Sequence, residues 1–179
     1  MKTHHTCIVC NNFQHSPTIE HIIPQSLGNV HYILHKGLVC GQCNHRFSQY
    51  ENRVVSSVPF LTARNIKFRK APDLEEKDIT FVLLKIAYES MYRSRKTIWN
   101  TIDWTETLDT IVKGRPYPSS LISNKKLKKG KNIPGFIERI RLRVIGHELK
   151  YAMRHDSILV YWRFQNEHFI VPLKKKKLA

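Results

Sequence analysis

A chain of 179 residues, 41% of them apolar, is long enough to bury a sizeable core as one domain or two small ones. Its formal charge of +16, from 30 Lys and Arg against 14 Asp and Glu, is more one-sided than solubility requires and points to a polyanion, nucleic acid foremost. No stretch reaches the roughly 18 apolar residues that span a bilayer, and the opening MKTHHTC lacks the apolar core of a signal peptide, so the expected setting is intracellular (cytoplasmic), with no membrane partner.

The first element is a cysteine knuckle, CIVC (Cys7, Cys10), answered by CGQC (Cys40, Cys43); all four cysteines lie in the first quarter of the chain. Two CxxC pairs separated by about 30 residues have the spacing that wraps a tetrahedral Zn²⁺ with four thiolates. A disulfide does not suit a reducing compartment, and a redox CxxC would need only one of the motifs. Four-thiolate zinc has no open position, so this metal is expected to be structural. With few large apolar residues around it, metal binding is expected to supply most of the local folding energy, on the order of 10 kcal/mol.

Between the knuckles lies TIEHIIPQSLGN, residues 18–29, where an acid directly precedes a histidine, isoleucines and proline follow, and the chain turns on glycine. Thr18 to Pro24 reads as a short β-branched strand ended by Pro24 and Gly28, and Lys36 to Cys40 reads as a second strand. From Asn44 the pattern becomes helical, with Phe47, Tyr50 and Val54 on one face and Asn44 suited to open the helix. Seven of the ten histidines, His4, His5, His15, His21, His31, His35 and His45, precede residue 46, which concentrates the chemistry here. A zinc-clamped hairpin would bring Glu20, His21 and Asn44 together. Phosphodiester hydrolysis needs a base for the water and a cation for the phosphate charge; His21 suits the first role, and Glu20 and Asn44 offer hard oxygen ligands to hydrated Mg²⁺ or Mn²⁺.

With CIVC, EHIIPQSLGN and CGQCNHRF in place over about residues 7 to 53, the chain resembles the HNH endonucleases of the ββα-metal fold, in their zinc-bound variety. The resemblance implies His21 as general base, Asn44 as metal ligand at the start of the helix, and Glu20 where the family usually carries aspartate. The family's middle asparagine, which orients the base histidine, falls near His35, so either His35 takes that role or Asn29 reaches in from the loop. Arg46 and Arg53 are candidate phosphate clamps, whereas His45 is read as a phosphate or solvent contact and Glu51 as the partner of a basic neighbour. His4, His5 and His15 are read as surface residues without a role.

Beyond this module, Val58 to Asp73, with Pro59 and Pro72, reads as a linker or outgoing strand. Asp78 to Ser94 reads as a helix opened by a cap-type Asp and apolar on nearly every side, a central packing element. TIDWTETLDTIV reads as a short helix, and KGRPYPSS and SNKKLKKGKNIPG as loops. Phe136 to Leu173 alternates as an antiparallel meander. Residues 1–60 hold four basic and two acidic side chains, so the remainder carries 26 against 12. Phosphate contacts are therefore expected from the loop Lys125, Lys126, Lys128, Lys129, Lys131, with Trp162, Tyr161, Arg163 and Lys150 of the meander as further candidates although such aromatics usually pack a core. The final KKKK reads as a solvated tail.

The expected protein is α+β: a zinc-stapled HNH module at 1–57, then a basic helical and antiparallel-β part at 58–179 that docks DNA. Its expected activity is metal-dependent hydrolysis of phosphodiesters in double-stranded DNA, in a restriction or phage-defence setting, with a homodimer as an option. The competing readings are a zinc-dependent nucleic-acid binder without cleavage, an RNA-binding protein, and a mobile-element nuclease.

Overall fold

The computed structural model describes residues 6–12, 18–118, 122–123, 136–140 and 146–176. Five helices, α1 (Gly41–Val55), α2 (Val58–Ala63), α3 (Glu76–Ser94), α4 (Lys96–Trp99) and α5 (Thr105–Lys113), precede or flank a sheet of β1 (Ile122–Ser123), β2 (Phe136–Ile140), β3 (His147–Met153), β4 (Ser157–Phe164) and β5 (Glu167–Lys174). The sheet is antiparallel throughout, in the order β1-β5-β4-β3-β2. The fold is α+β, with the expected meander present.

Alternation along the strands separates two faces. Leu149, Tyr151, Ile158, Val160, Trp162, Phe164, Phe169, Val171 and Leu173 enter one core with the helices, while Ala152, Leu159, Tyr161 and Ile170 form a small cluster on the opposite face. Phe60 of α2 is fully buried and stacks at 5.5 to 6.0 Å on Trp162, Phe164 and Phe169. The same core takes in Cys7, Ile22, Ile23, Leu34 and Phe47 at one end and Leu173 at the other, so apolar packing runs without interruption from the cysteine knuckles to the last strand.

α3 is the axis of this core. Every residue from Asp78 to Met91 is buried, as expected of a helix apolar on nearly all sides. It starts at Glu76, however, so Asp78 lies in the first turn rather than at the cap, where its charge complements the helix dipole and its carboxylate accepts from Nε and Nη2 of Arg53 at 2.9 and 3.0 Å. α1 presents Cys43, Phe47, Val54 and Val55 to the core, and Tyr50 stacks on Phe81 of α3 with 3.6 Å between centroids.

Several expectations are corrected. Neither strand predicted around the EHIIP segment forms at full length: the ladder of the hairpin is reduced to the antiparallel bridge His21–Ile33, and residues 36–39 turn. Pro24 and a 3₁₀ turn at Gln25–Leu27 stop the first arm, and Gly28 closes that turn at φ 90°, a conformation costly for any residue with a Cβ. The predicted linker after residue 58 begins as helix α2, because Pro59 falls in its first turn, where no amide donor is needed. The lysine tail is held in part. Lys174 belongs to β5 and meets Glu106 at 3.2 Å, Lys175 bridges Ile102 and donates to the Arg154 carbonyl, and the Lys176 amide donates to Thr101 O.

Candidate active site

The two knuckles bring Cys7, Cys10, Cys40 and Cys43 together with all four Sγ atoms within 4.8 Å of one another. Backbone amides point at the sulfurs: Cys40 N donates to Cys7 Sγ and Cys43 N to Cys40 Sγ, each at 3.4 Å. The second bond caps α1, so the ligand set and the helix start are one device. Crowding divides the thiols, the hydrogen bond with Cys43 pulling Cys7 down to about 4 while Cys43 is driven up. Thiols that share protons in this way form a set suited to a thiophilic cation, whose charge lets all of them ionise.

His21 lies on the first arm of the hairpin between the two knuckles in the chain. Its bridge to Ile33 is flanked by Ile22 N to Tyr32 O at 3.1 Å and Leu34 N to Glu20 O at 2.9 Å. His21 and Ile33 are thus the non-hydrogen-bonded pair of the ladder, and their own carbonyls point away from the partner arm. The imidazole is half-buried. Burial and then the charge of Lys85 hold it below its ordinary pKa of 6.5, which keeps it neutral and able to accept a proton at neutral pH. Asn44, in the first turn of α1, donates from Nδ2 to Ile19 O at 3.0 Å. This bond ties the helix start to the residue just before Glu20–His21 and directs Oδ1 elsewhere as an acceptor.

Glu20 turns inward. It is 2% exposed, with Oε1 2.5 Å from Lys85 Nζ and Oε2 buried without a hydrogen-bond partner among the described residues. Burial raises its pKa against the pull of Lys85. An orphaned carboxylate oxygen is costly in a core, and this one belongs to the residue between His21 and Ile19, whose carbonyl holds Asn44. The chemistry of Glu20 Oε2 and Asn44 Oδ1 fits a hard divalent cation.

Sequence reasoning missed Lys85, although a lysine followed four residues later by Glu89 in an otherwise apolar helical run was a signal. Besides Glu20, its ammonium reaches Glu51 at 2.9 Å and Glu89 at 3.2 Å and donates to the carbonyls of His21 and, at 3.3 Å, Ile22. Burial works against its charge, but the three carboxylates outweigh it and hold Lys85 well above the ordinary lysine range. Glu51 therefore pairs with a basic neighbour as expected, one brought from a distant helix.

The candidates for the orienting role are placed differently. Asn29 is fully buried and braces the hairpin loop, its Nδ2 donating to Ile23 O and Tyr32 O at 2.7 and 2.9 Å and its Oδ1 accepting from Tyr32 N at 2.8 Å. His35 is exposed, and its carbonyl accepts from Leu38 N in the turn. Among the expected DNA contacts, Arg53 is engaged by Asp78 and stacks over Tyr50 at 4.3 Å, so its guanidinium joins α1 to α3. Arg46 is half-buried on α1, and His45 on the same helix is exposed and meets Gln49. Trp162 is core, donating to His147 Nδ1 at 3.2 Å. Lys150 and Arg163 both reach Glu148, and Tyr161 is buried. Lys125, Lys126, Lys128, Lys129 and Lys131, like His4, His5 and His15, lie outside the described residues.

The arrangement is a hairpin followed by a helix, with four clustered cysteines, a half-buried histidine and a buried acid side by side in the chain, and an asparagine tethered to the residue before them. Residues 7–56 match the family model of the HNH endonucleases. Neither a curated protein nor a solved structure matches the chain. No helix among the described residues is long and apolar enough to cross a membrane.

Proposed function

We propose that the chain is a metal-dependent HNH endonuclease hydrolysing phosphodiester bonds in double-stranded DNA. The observation that supports this reading is the bond from Asn44 Nδ2 to Ile19 O, which ties the start of α1 to the residue directly before Glu20 and His21, within a matched segment that also holds the four clustered cysteines. His21, kept neutral by partial burial and by Lys85, accepts the proton of the attacking water. Glu20 Oε2 and Asn44 Oδ1 would hold Mg²⁺ or Mn²⁺. When bound, such a cation supplies the charge that neutralises the phosphate and its leaving oxygen. Cys7, Cys10, Cys40 and Cys43 would hold structural Zn²⁺, outside the reaction. The charge of +16 favours a nucleic-acid substrate, and restriction or phage defence is the setting we assign.

The test is cleavage of supercoiled plasmid with and without Mg²⁺ or Mn²⁺. The wild-type protein should nick or linearise DNA only with the cation, and His21→Ala should abolish cleavage while keeping its zinc and its affinity for DNA. A wild-type protein that binds duplex tightly and never cuts would instead establish a non-cleaving zinc-dependent binder.

A further inference from the structure

The hairpin that carries Glu20 and His21 is held from outside the family-matched segment. The outward carbonyls of its bridging pair are both received by α3: Lys85 takes His21 O and Arg93 takes Ile33 O at 2.6 Å, its guanidinium lying 4.8 Å over the Tyr32 ring. Two turns of helix, about 12 Å, separate residues 85 and 93, enough for α3 to cross both arms. In an extended sheet these carbonyls would meet a further strand; here two side chains take its place. Arg64 donates to Ser26 O at 3.2 Å, and His147 Nε2 meets Leu27 O at 2.9 Å.

Lys85 differs from the other grips because it touches the chemistry-bearing residues themselves. It is fully buried, and three buried or half-buried carboxylates surround one ammonium, more acid than a simple ion pair requires. Neither oxygen of Glu89 has a hydrogen-bond partner among the described residues, its contact with Lys85 being ionic. A lysine so placed has its position fixed from three sides, and it transmits that position to Glu20 Oε1 and to the backbone of His21 and Ile22.

On the reading of Glu20, His21 and Asn44 just given, we propose that Lys85 is the positioning residue of the nuclease site: it holds Glu20 by one oxygen so that Oε2 stays available, and clamps the backbone from which the His21 imidazole projects. Glu51 and Glu89 keep the ammonium in place. Residues beyond 56 are on this account part of the catalytic device.

The test compares the full-length wild-type protein with Lys85→Met, using two readouts. The first is amide hydrogen exchange without DNA. Ile22 and Leu34, the two ladder amides, should exchange at least tenfold faster in the variant, while Asn44, bonded to Cys40 O in the knuckle, and the zinc content stay unchanged. The second is single-turnover cleavage at saturating protein, which should fall at least 100-fold with duplex affinity within twofold, a loss of rate without loss of binding that mere destabilisation would not produce. Should Lys85→Met fail to fold, the triple variant Lys85→Met, Glu51→Gln, Glu89→Gln removes two of the stranded carboxylates and is read in the same way. Wild-type exchange at Ile22 and Leu34, or exchange rising equally at Asn44, overturns the proposal. An inactive wild-type protein with selectively loosened hairpin amides in the variant overturns the nuclease reading and leaves the clamp standing.

Discussion

Asn29→Ala removes three hydrogen bonds at a position with no solvent access: two donated by Nδ2, to Ile23 O and Tyr32 O, and one accepted by Oδ1 from Tyr32 N. A buried neutral hydrogen bond is worth about 1 kcal/mol net, so the loss should be about 3 kcal/mol. Tyr32 O keeps a second donor in Ile22 N, which limits the damage at that atom; Ile23 O and Tyr32 N lose theirs from Asn29. Asn29→Asp keeps nearly the same shape and the bond from Tyr32 N, but turns both donations into contacts between oxygens, and should destabilise at least as much. Urea denaturation of the zinc-loaded proteins measures this as a lower midpoint at unchanged slope. The hairpin carries His21, so cleavage should fall in the folded variants as well. A stability loss below about 1 kcal/mol in both variants would refute the reasoning, since Asn29 would then be no brace.

Cys40→Ser should lose zinc and unfold the N-terminal module together, because Cys40 is both a member of the staple and the cap of α1, as circular dichroism and metal analysis on one sample will show. Cleavage should rise with pH as His21 deprotonates, with a midpoint below its ordinary 6.5. Since the folded pKa is depressed, the histidine's contribution to stability is present above 6.5 and is lost as pH falls through the lower folded value; a cleavage midpoint above 6.5 argues against His21 as the base. Replacing Lys125, Lys126, Lys128, Lys129 and Lys131 by glutamine should flatten the salt dependence of duplex binding by about 0.9 in log–log slope for each phosphate no longer neutralised, and an unchanged slope would show that this loop touches no phosphate.

Much of the site was legible because its information is local. A CxxC knuckle, an acid beside a histidine and an asparagine in the first turn of a helix are each written in four residues or fewer, and the four cysteines cluster as their spacing predicts. The same holds for α3, whose unbroken burial follows from apolar residues on every face, and for the meander, whose strands alternate. Where the readings failed, a local preference met a distant partner. The β-branched run before Pro24 makes one bridge instead of a strand because Pro24 and the 3₁₀ turn stop it, and Lys85 and Arg93 of α3 take the outward carbonyls of His21 and Ile33 that a further strand would have met. Lys174 to Lys176, read as part of a solvated tail, end and follow β5 because residues 101 to 106 offer them a carbonyl, a bridge and a carboxylate.

The amino-acid sequence by itself determined the staple, the base histidine candidate and the helical and strand periodicities, since these depend on spacings that survive without knowledge of what lies across the core. Only the tertiary structure decided which charges remain available for function. Lys85 and His147 reach the hairpin from 64 and 120 positions away, and Glu20 is ion-paired while its second oxygen is orphaned. Charge interactions act through space, with a strength set by burial and by the few ångströms between groups, and neither quantity is encoded in the order of residues along the chain.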